Sequence, residues 1–415
     1  MTVAGGAVAA ALATVGTPDR SEGTEPFTEG STPLEQIHSI GITGEDVRVG
    51  VLDPTGFDPE HPALVDAVTG LRAFDGSPVV VDDASHGTEA AATVARAAPD
   101  AALLLATFER ASGFERGLDW FREMGVDVVL APVAAHGAAA VGDSPVNRAA
   151  EAAVEAGVTL VAPTGNAARG HWQGPLGAIA STGDSLTLLD LESRAADEPP
   201  VGSLTVWLGC RAPDPPALSL ALIRRTQTGD GRQLIALSQS ERPGLERLTA
   251  ELEPGRYALE LRLPDRSSVP EGFATAPVSM RAPGYRLSPA RPAGSVAAPA
   301  SAPGVVGVGS RKEGGAAAYS GRGPTPDGGF GVDLVAEPRP WPTVEDPGTS
   351  GAAAQVAGVA ALVADTRGDE AARERVGGIL RATATSMSDD DGPTFTTGHG
   401  VVDPLAAVRR ARGTD

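Results

Sequence analysis

The chain has 415 residues and a formal net charge of −20, with 53 acidic against 33 basic side chains. That length exceeds what one hydrophobic core usually supports, so a large α/β domain carrying a smaller unit is expected. The acidic excess argues against a nucleic-acid partner, and the lone Cys210 excludes an intrachain disulfide and a thiol-based metal cluster.

Residues 3–15 form an apolar run of small side chains, like the core of a secretory signal, with no Arg or Lys before it. The run is too short to span a bilayer. It predicts an exported protein, extracellular or at the cell surface, with a basic or twin-arginine segment expected upstream. Residues 1–32 are assigned to this run and to a flexible Ser-, Thr-, Glu- and Gly-containing leader, with folding expected to begin at Pro33.

From residue 47 short Val/Leu runs alternate with Ala-rich amphipathic segments. Runs at 47–52, 101–107, 126–133 and 158–162 read as buried strands. Phe114, Leu118, Phe121 and Met124 recur at helical spacing, and a helix over 146–156 follows Ser144-Pro145 and stops at Gly157. Strands separated by helices of this length imply a doubly wound, mostly parallel sheet with helices on both faces.

The rhythm changes near residue 181. Leu204, Val206 and Leu208, then Leu218, Leu220 and Leu222, then Tyr257, Leu259, Leu261 and Leu263 alternate with period two between Pro, Asp and Gly clusters. Such alternation marks a β-sandwich-like unit. The α/β pattern resumes with strands at 305–308 and 332–335 and helices after Ser350, over 370–382 and over 404–410. The predicted domains are a first α/β half at 33–182, an inserted β-sandwich-like domain at 183–290 and a second α/β half at 291–415.

Four short segments carry residue types suited to chemistry. In V-G-V-L-D-P-T-G, Asp53 ends a buried strand, where a carboxylate is partly desolvated and can accept from an imidazole; an Asp capping a turn is the plainer reading. In S-H-G-T-E, His86 opens an Ala-rich helix, whose dipole is expected to depress its pKa and keep it neutral as a base. In V-A-P-T-G-N, Asn166 follows a strand and Gly165, so its carboxamide could face an oxyanion, although an ordinary Gly-Asn turn fits as well. In D-P-G-T-S-G-A-A-A, Ser350 stands at a helix start, as a nucleophile or simply as an N-cap. His38, His61, His136, His171 and His399 read as surface or packing residues.

In that order, Asp53, His86, Asn166 and Ser350 resemble the subtilisin-like serine proteases, as do Y-S-G-R-G-P-T-P-D-G before the nucleophile and the closing G-H-G-V-V-D-P-L-A-A-V. The resemblance covers 34–181 and 290–410 and leaves the β insert outside. It implies a subtilisin-like α/β fold and peptide-bond hydrolysis through an acyl-enzyme: Ser350 as nucleophile, His86 as base, Asp53 as its partner and Asn166 as the oxyanion amide. The acid-rich composition resembles that of proteins from extreme halophiles.

Departures from the family pattern are Pro54 directly after Asp53, which could alter the aim of the carboxylate, Glu89 where a second His is common, and Ala354 where a Pro is usual. L-A-P-V-A-A-H-G replaces the usual substrate strand, and Pro132 has no N–H to offer a bound peptide. Ala131, Pro132, Val133 and Ala134, with Ala162, Pro163, Thr164 and Gly165 opposite, are the expected substrate-binding walls and suggest a modest apolar specificity. The competing readings are a non-catalytic relative that binds peptides or surface partners, and a ligand-binding role for the insert, with Trp207 as a candidate exposed aromatic. No cofactor is required by this reading; calcium is common in the family, but no loop has a ligand spacing for it. Polypeptide substrates, no nucleic acid, no transmembrane segment and a monomer are expected.

Overall fold

The computed structural model describes residues 31–82, 84–142, 144–176, 188–193, 198–212, 214–215, 217–225, 231–262, 275–366, 376–387 and 392–413. The signal-like run, most of the leader, Leu263 and the first part of the helix expected over 370–382 lie outside them.

Strands β1 (Arg48–Leu52), β2 (Val68–Ala73), β3 (Ala102–Thr107), β4 (Val128–Leu130) and β5 (Thr159–Pro163) form parallel pairs in the order β2-β3-β1-β4-β5. The chain then leaves this sheet and builds ten antiparallel strands: β6 (His171–Pro175), β7 (Leu188–Glu192), β8 (Gly202–Cys210), β9 (Ser219–Arg225), β10 (Arg232–Leu237), β11 (Gln239–Arg242), β12 (Leu245–Leu252), β13 (Arg256–Arg262), β14 (Pro277–Arg281) and β15 (Arg286–Ser288). It returns as β16 (Val306–Lys312), which pairs parallel with β5 and with β18 (Leu334–Ala336); the short β17 (Gly315–Ala316) closes the edge antiparallel to β16.

The helices are α1 (Pro33–Ser39), α2 (His86–Ala97), α3 (Ala111–Glu123), α4 (His136–Val141), α5 (Pro145–Glu155), α6 (Gly348–Asp365), α7 (Val376–Ala382) and α8 (Pro404–Arg412). Their distribution follows from strand alternation. Leu103 and Leu105 of β3 point into the core shared with α2 and α6, whereas Leu104 and Ala106 point into the core shared with α3 and α5. The subtilisin-like α/β class read from the sequence is therefore the observed one. Strand β2 was not legible: it is an edge strand whose residues are mostly exposed, Leu71 among them, with no continuous apolar run.

The antiparallel strands make two five-stranded sheets, β10-β9-β13-β7-β15 and β11-β12-β8-β14-β6, packed on one shared core. Leu204, Val206, Leu208, Leu220, Leu222, Tyr257, Leu259 and Leu261 are all buried there, as period-two alternation requires. Antiparallel pairing starts at His171, earlier than residue 183, because Trp172 and His171 pair with Met280 and Arg281. Trp207 is not a free surface aromatic. Its ring covers Gly137 of α4, where a Cβ would lie 2.7 Å from the indole, and the Arg247 guanidinium stacks over it at 5.6 Å.

Helix α6 is buried along almost its whole length, apolar on every side, between α2 and the sheet. Small residues permit this depth: a Cβ on Gly358 would lie 2.4 Å from that of Ala97 in α2. With Gly358 eight residues after Ser350 and Ala97 eleven after His86, the two helices run side by side and their N-termini open at the same edge of the sheet.

Candidate active site

That edge is the carboxyl end of the parallel strands, where open α/β sheets bind ligands. Asp53 follows β1, Pro132 follows β4 and Asn166 follows β5, while His86 opens α2 and Ser350 stands in the first turn of α6.

Asp53 is fully buried, and its Oδ2 accepts from His86 Nδ1 at 2.7 Å. Oδ1 is held by the Thr55 N–H at 2.9 Å and the Thr55 hydroxyl at 2.6 Å, and the same hydroxyl accepts from the Gly87 N–H at 2.9 Å. Pro54 therefore does not misdirect the carboxylate, because Thr55 one residue later fixes its orientation. Ser85 caps α2 by accepting from the Thr88 N–H at 3.1 Å.

The imidazole is not depressed as the helix dipole alone suggested. Burial pushes the pKa of His86 down, but the hydrogen bond and the charge of Asp53 together outweigh it and hold the ring above its ordinary value. Trp341 closes its other side: the rings meet edge to face at 5.3 Å, and the indole N–H donates to Thr93 of α2 at 3.1 Å. Sequence reasoning missed Trp341. Its one signal was a bulky aromatic between Pro340 and Pro342 in an otherwise polar loop.

Ser350 is not an N-cap. Pro347 occupies that position, and Ser350 is the third helical residue, 9% exposed. Its hydroxyl donates to the Pro132 carbonyl at 3.2 Å and makes no hydrogen bond to His86. The amides around it are allotted in turn: Gly348 N–H goes to Asp346 Oδ1 at 3.0 Å, Thr349 N–H to Asn166 Oδ1 at 3.0 Å, and Ser350 N–H has no protein acceptor among the described residues.

Thr349 also fixes the carboxamide of Asn166. Both its N–H and its hydroxyl, the latter at 2.9 Å, require an acceptor, so Oδ1 faces Thr349 and the NH₂ faces away. The free Ser350 N–H and the Asn166 NH₂ are two donors of the kind that stabilises a developing oxyanion. Lys312, the chain's only lysine, anchors the loop before Ser350 by pairing with Asp346 Oδ2 at 2.7 Å, and Tyr319 donates to Asp346 Oδ1 at 2.7 Å.

The expected substrate walls are partly corrected. Ala131 and Ala162 are fully buried and, by strand alternation, point into the core beneath α3 and α5; they line no cleft. Pro163 is buried, and Thr164 is fully buried beside Ser320. Val133 and Ala134 are partly exposed, Gly165 is packed against His136, and Pro132 contributes its carbonyl. His38 and His171 do bind backbone carbonyls, of Ala97 at 2.9 Å and Arg291 at 2.6 Å. Among the described residues no group of three or more His, Cys, Asp or Glu side chains could hold a metal ion, and no helix is long and apolar enough to cross a membrane.

Residues 288–400, which include Ser350, match the model of the subtilase family. Similar solved structures are the prenylagaramide maturation protease PagA (17% identity, covering 92% of this chain and 99% of that one, TM-score 0.51) and a lanthipeptide protease (17%, 91% and 92%, 0.51). A mutant of the protease domain of PatA is similar too, at 15% identity over 90% of this chain and 98% of that one, with a TM-score of 0.51. The fold is subtilisin-like. No curated protein matches the chain by sequence.

Proposed function

We propose that this chain is a serine endopeptidase working through Ser350, His86 and Asp53. The observation that carries the reading is the 2.7 Å bond between His86 Nδ1 and the fully buried, doubly tethered Asp53 carboxylate. A carboxylate on Nδ1 selects the tautomer whose Nε2 is a lone pair, free to take a proton.

In this mechanism the Ser350 hydroxyl leaves the Pro132 carbonyl and turns to His86 Nε2, which accepts its proton as Oγ attacks the peptide carbonyl. The negative oxygen that forms is met by the Ser350 N–H and the Asn166 NH₂. Asp53 stabilises the imidazolium, which then returns the proton to the leaving amine; water repeats the steps on the acyl-enzyme. The similar structures are proteases by name, which agrees with this reading and assigns no residue in this chain. We place the protein outside the cell on the signal-like run, acting on polypeptides as a monomer.

The test is labelling by a serine-directed fluorophosphonate together with casein hydrolysis, across a salt series suited to an acid-rich chain. Wild type should label and hydrolyse, and Ser350→Ala should do neither. Peptide binding unchanged by Ser350→Ala, with no turnover or labelling of wild type in any salt, would favour the non-catalytic reading instead.

A further inference from the structure

His136 lies beside the turn that carries Asn166. A Cβ placed on Gly165 would come within 3.3 Å of the His136 Cε1 atom. The residue is partly exposed, yet its Nδ1 is shut off from solvent and has no hydrogen-bond partner. The ring's other nitrogen, Nε2, also makes no hydrogen bond among the described residues but keeps accessible surface, so it is the atom a ligand can reach.

The environment behind the ring gives the sign of that ligand. Arg281 of β14 is 2% exposed, and its guanidinium donates only to carbonyls: Ser295 at 3.1 Å, Val296 at 2.9 Å and Gly294 at 2.7 Å, with Nε unpartnered. Val296 precedes Ala297, whose Cβ lies 3.2 Å from the Cβ position of Gly165, so this charge sits directly beneath the turn. Among the described residues no carboxylate pairs with Arg281 or with neighbouring Arg211. Burial, and then the charge of Arg281, push His136 down to about 3; His171, across the strand from Arg281, is likewise pushed to about 3. Burial, and then Arg211, lower Arg281 to about 9, so it stays charged at neutral pH while both rings are neutral. A chain with a net charge of −20 thus holds, at Arg281, a buried positive charge with no carboxylate partner among the described residues.

We propose that His136, backed by Arg281, forms the base of the primary specificity pocket and selects an acidic side chain, glutamate or aspartate, at the residue whose carbonyl Ser350 attacks. This rests on the serine protease reading. The substrate carboxylate accepts from the imidazole and supplies the counter-charge that Arg281 lacks, which an amide of the same shape cannot do. The antiparallel sheet acquires a role: β14 provides Arg281, and Trp207 of β8 seats α4, and with it His136, against the cleft.

The experiment separates this idea from the reading beneath it. Full-length Ser350→Ala protein is titrated with peptides identical except for Glu, Gln or Leu at one central position, while wild type is labelled in parallel with a fluorophosphonate. The Glu peptide should bind at least about tenfold more tightly, and His136→Leu or Arg281→Gln in the Ser350→Ala background should remove the difference. Because Arg281→Gln removes a buried group and is liable to unfold, His136→Leu and His136→Gln, each checked by circular dichroism, decide the result. Equal binding of the Glu and Gln peptides, tighter binding of the Leu peptide, or a Glu preference that survives both His136 variants overturns the pocket. Failure of wild type to label with the Glu preference intact overturns the protease reading and leaves the pocket standing.

Discussion

Thr55 donates both its N–H and its hydroxyl to the same oxygen of Asp53, at 2.9 and 2.6 Å, and so leaves the other oxygen for His86. The same hydroxyl accepts from Gly87, the residue after His86, at 2.9 Å. One side chain thereby registers the end of β1 against the start of α2. A proline directly after the aspartate, which looked like a disruption in the sequence, is compatible with the site because the threonine follows immediately.

Thr55→Val should keep the fold and lower kcat by roughly 10- to 100-fold, the equivalent of one hydrogen bond to a charged group at about 1.5–3 kcal/mol. Thr55→Ser keeps the hydroxyl and should retain most activity. Steady-state kinetics of the pair checks this, and full activity in Thr55→Val with a loss in Thr55→Ser would show that the γ-methyl, not the hydroxyl, matters.

The pH dependence has a defined sign. His86 must be neutral to act as base, and although burial lowers its pKa, the bond and charge of Asp53 raise it above its ordinary value. Activity should therefore rise with pH along a limb centred above the ordinary imidazole value. The same shift favours folding most below the unfolded value, a contribution lost as pH rises through the folded one. Asp53→Asn leaves burial alone acting on the ring, so the limb should move below the ordinary imidazole value while kcat falls by about 10⁴-fold. A kcat/KM profile of both proteins measures it; an unmoved limb would mean that another group titrates.

Much of this was legible because hydropathy reports burial. Central strands such as β3 and the largely buried α6 are apolar runs, and the sandwich strands alternate with period two. Edge strand β2 was invisible because its residues face water, and the strand at His171 was hidden because its pairing partner Arg281 lies 110 positions later. Asp53, His86, Asn166 and Ser350 could be nominated by their segments, but what surrounds them could not. Trp341, Lys312 and Asp346 meet the site through contacts that no local pattern encodes, and the direction of the His86 shift depends on a balance between burial and a partner 33 residues away.

Asn166 and Gly348 form one device. Gly348 has φ of +65°, and a Cβ there would lie 2.6 Å from the Asn166 Nδ2 and 2.8 Å from its Oδ1. Asn166→Ala should lower kcat by about 10²–10³-fold with little change in KM, as loss of an oxyanion donor does in enzymes of this fold. Gly348→Ala should reproduce much of that loss with Asn166 still present, since the new methyl displaces the carboxamide. Undiminished kcat in both would remove Asn166 from the chemistry.

The last prediction concerns Asp346, which binds the loop before Ser350 at three points: Gly348 N–H at 3.0 Å, Tyr319 hydroxyl at 2.7 Å and Lys312 Nζ at 2.7 Å. Burial pushes its carboxyl up, but the hydrogen bonds from Lys312, Tyr319 and Gly348 outweigh this and hold it below its ordinary value. A depressed carboxylate stabilises the fold above its unfolded pKa, and that contribution is lost as pH falls through the folded value. The partners are unequal, because Lys312 is half exposed and its ion pair is screened by salt, whereas the Gly348 amide has no other acceptor among the described residues. Asp346→Ala should therefore cost roughly tenfold or more in kcat by freeing the start of α6. Lys312→Met should cost little, and less still in high salt. Kinetics of both variants in low and multimolar salt distinguishes the cases, and a Lys312→Met defect as deep as that of Asp346→Ala would make the ion pair, and not the backbone tether, the element that sets the nucleophile.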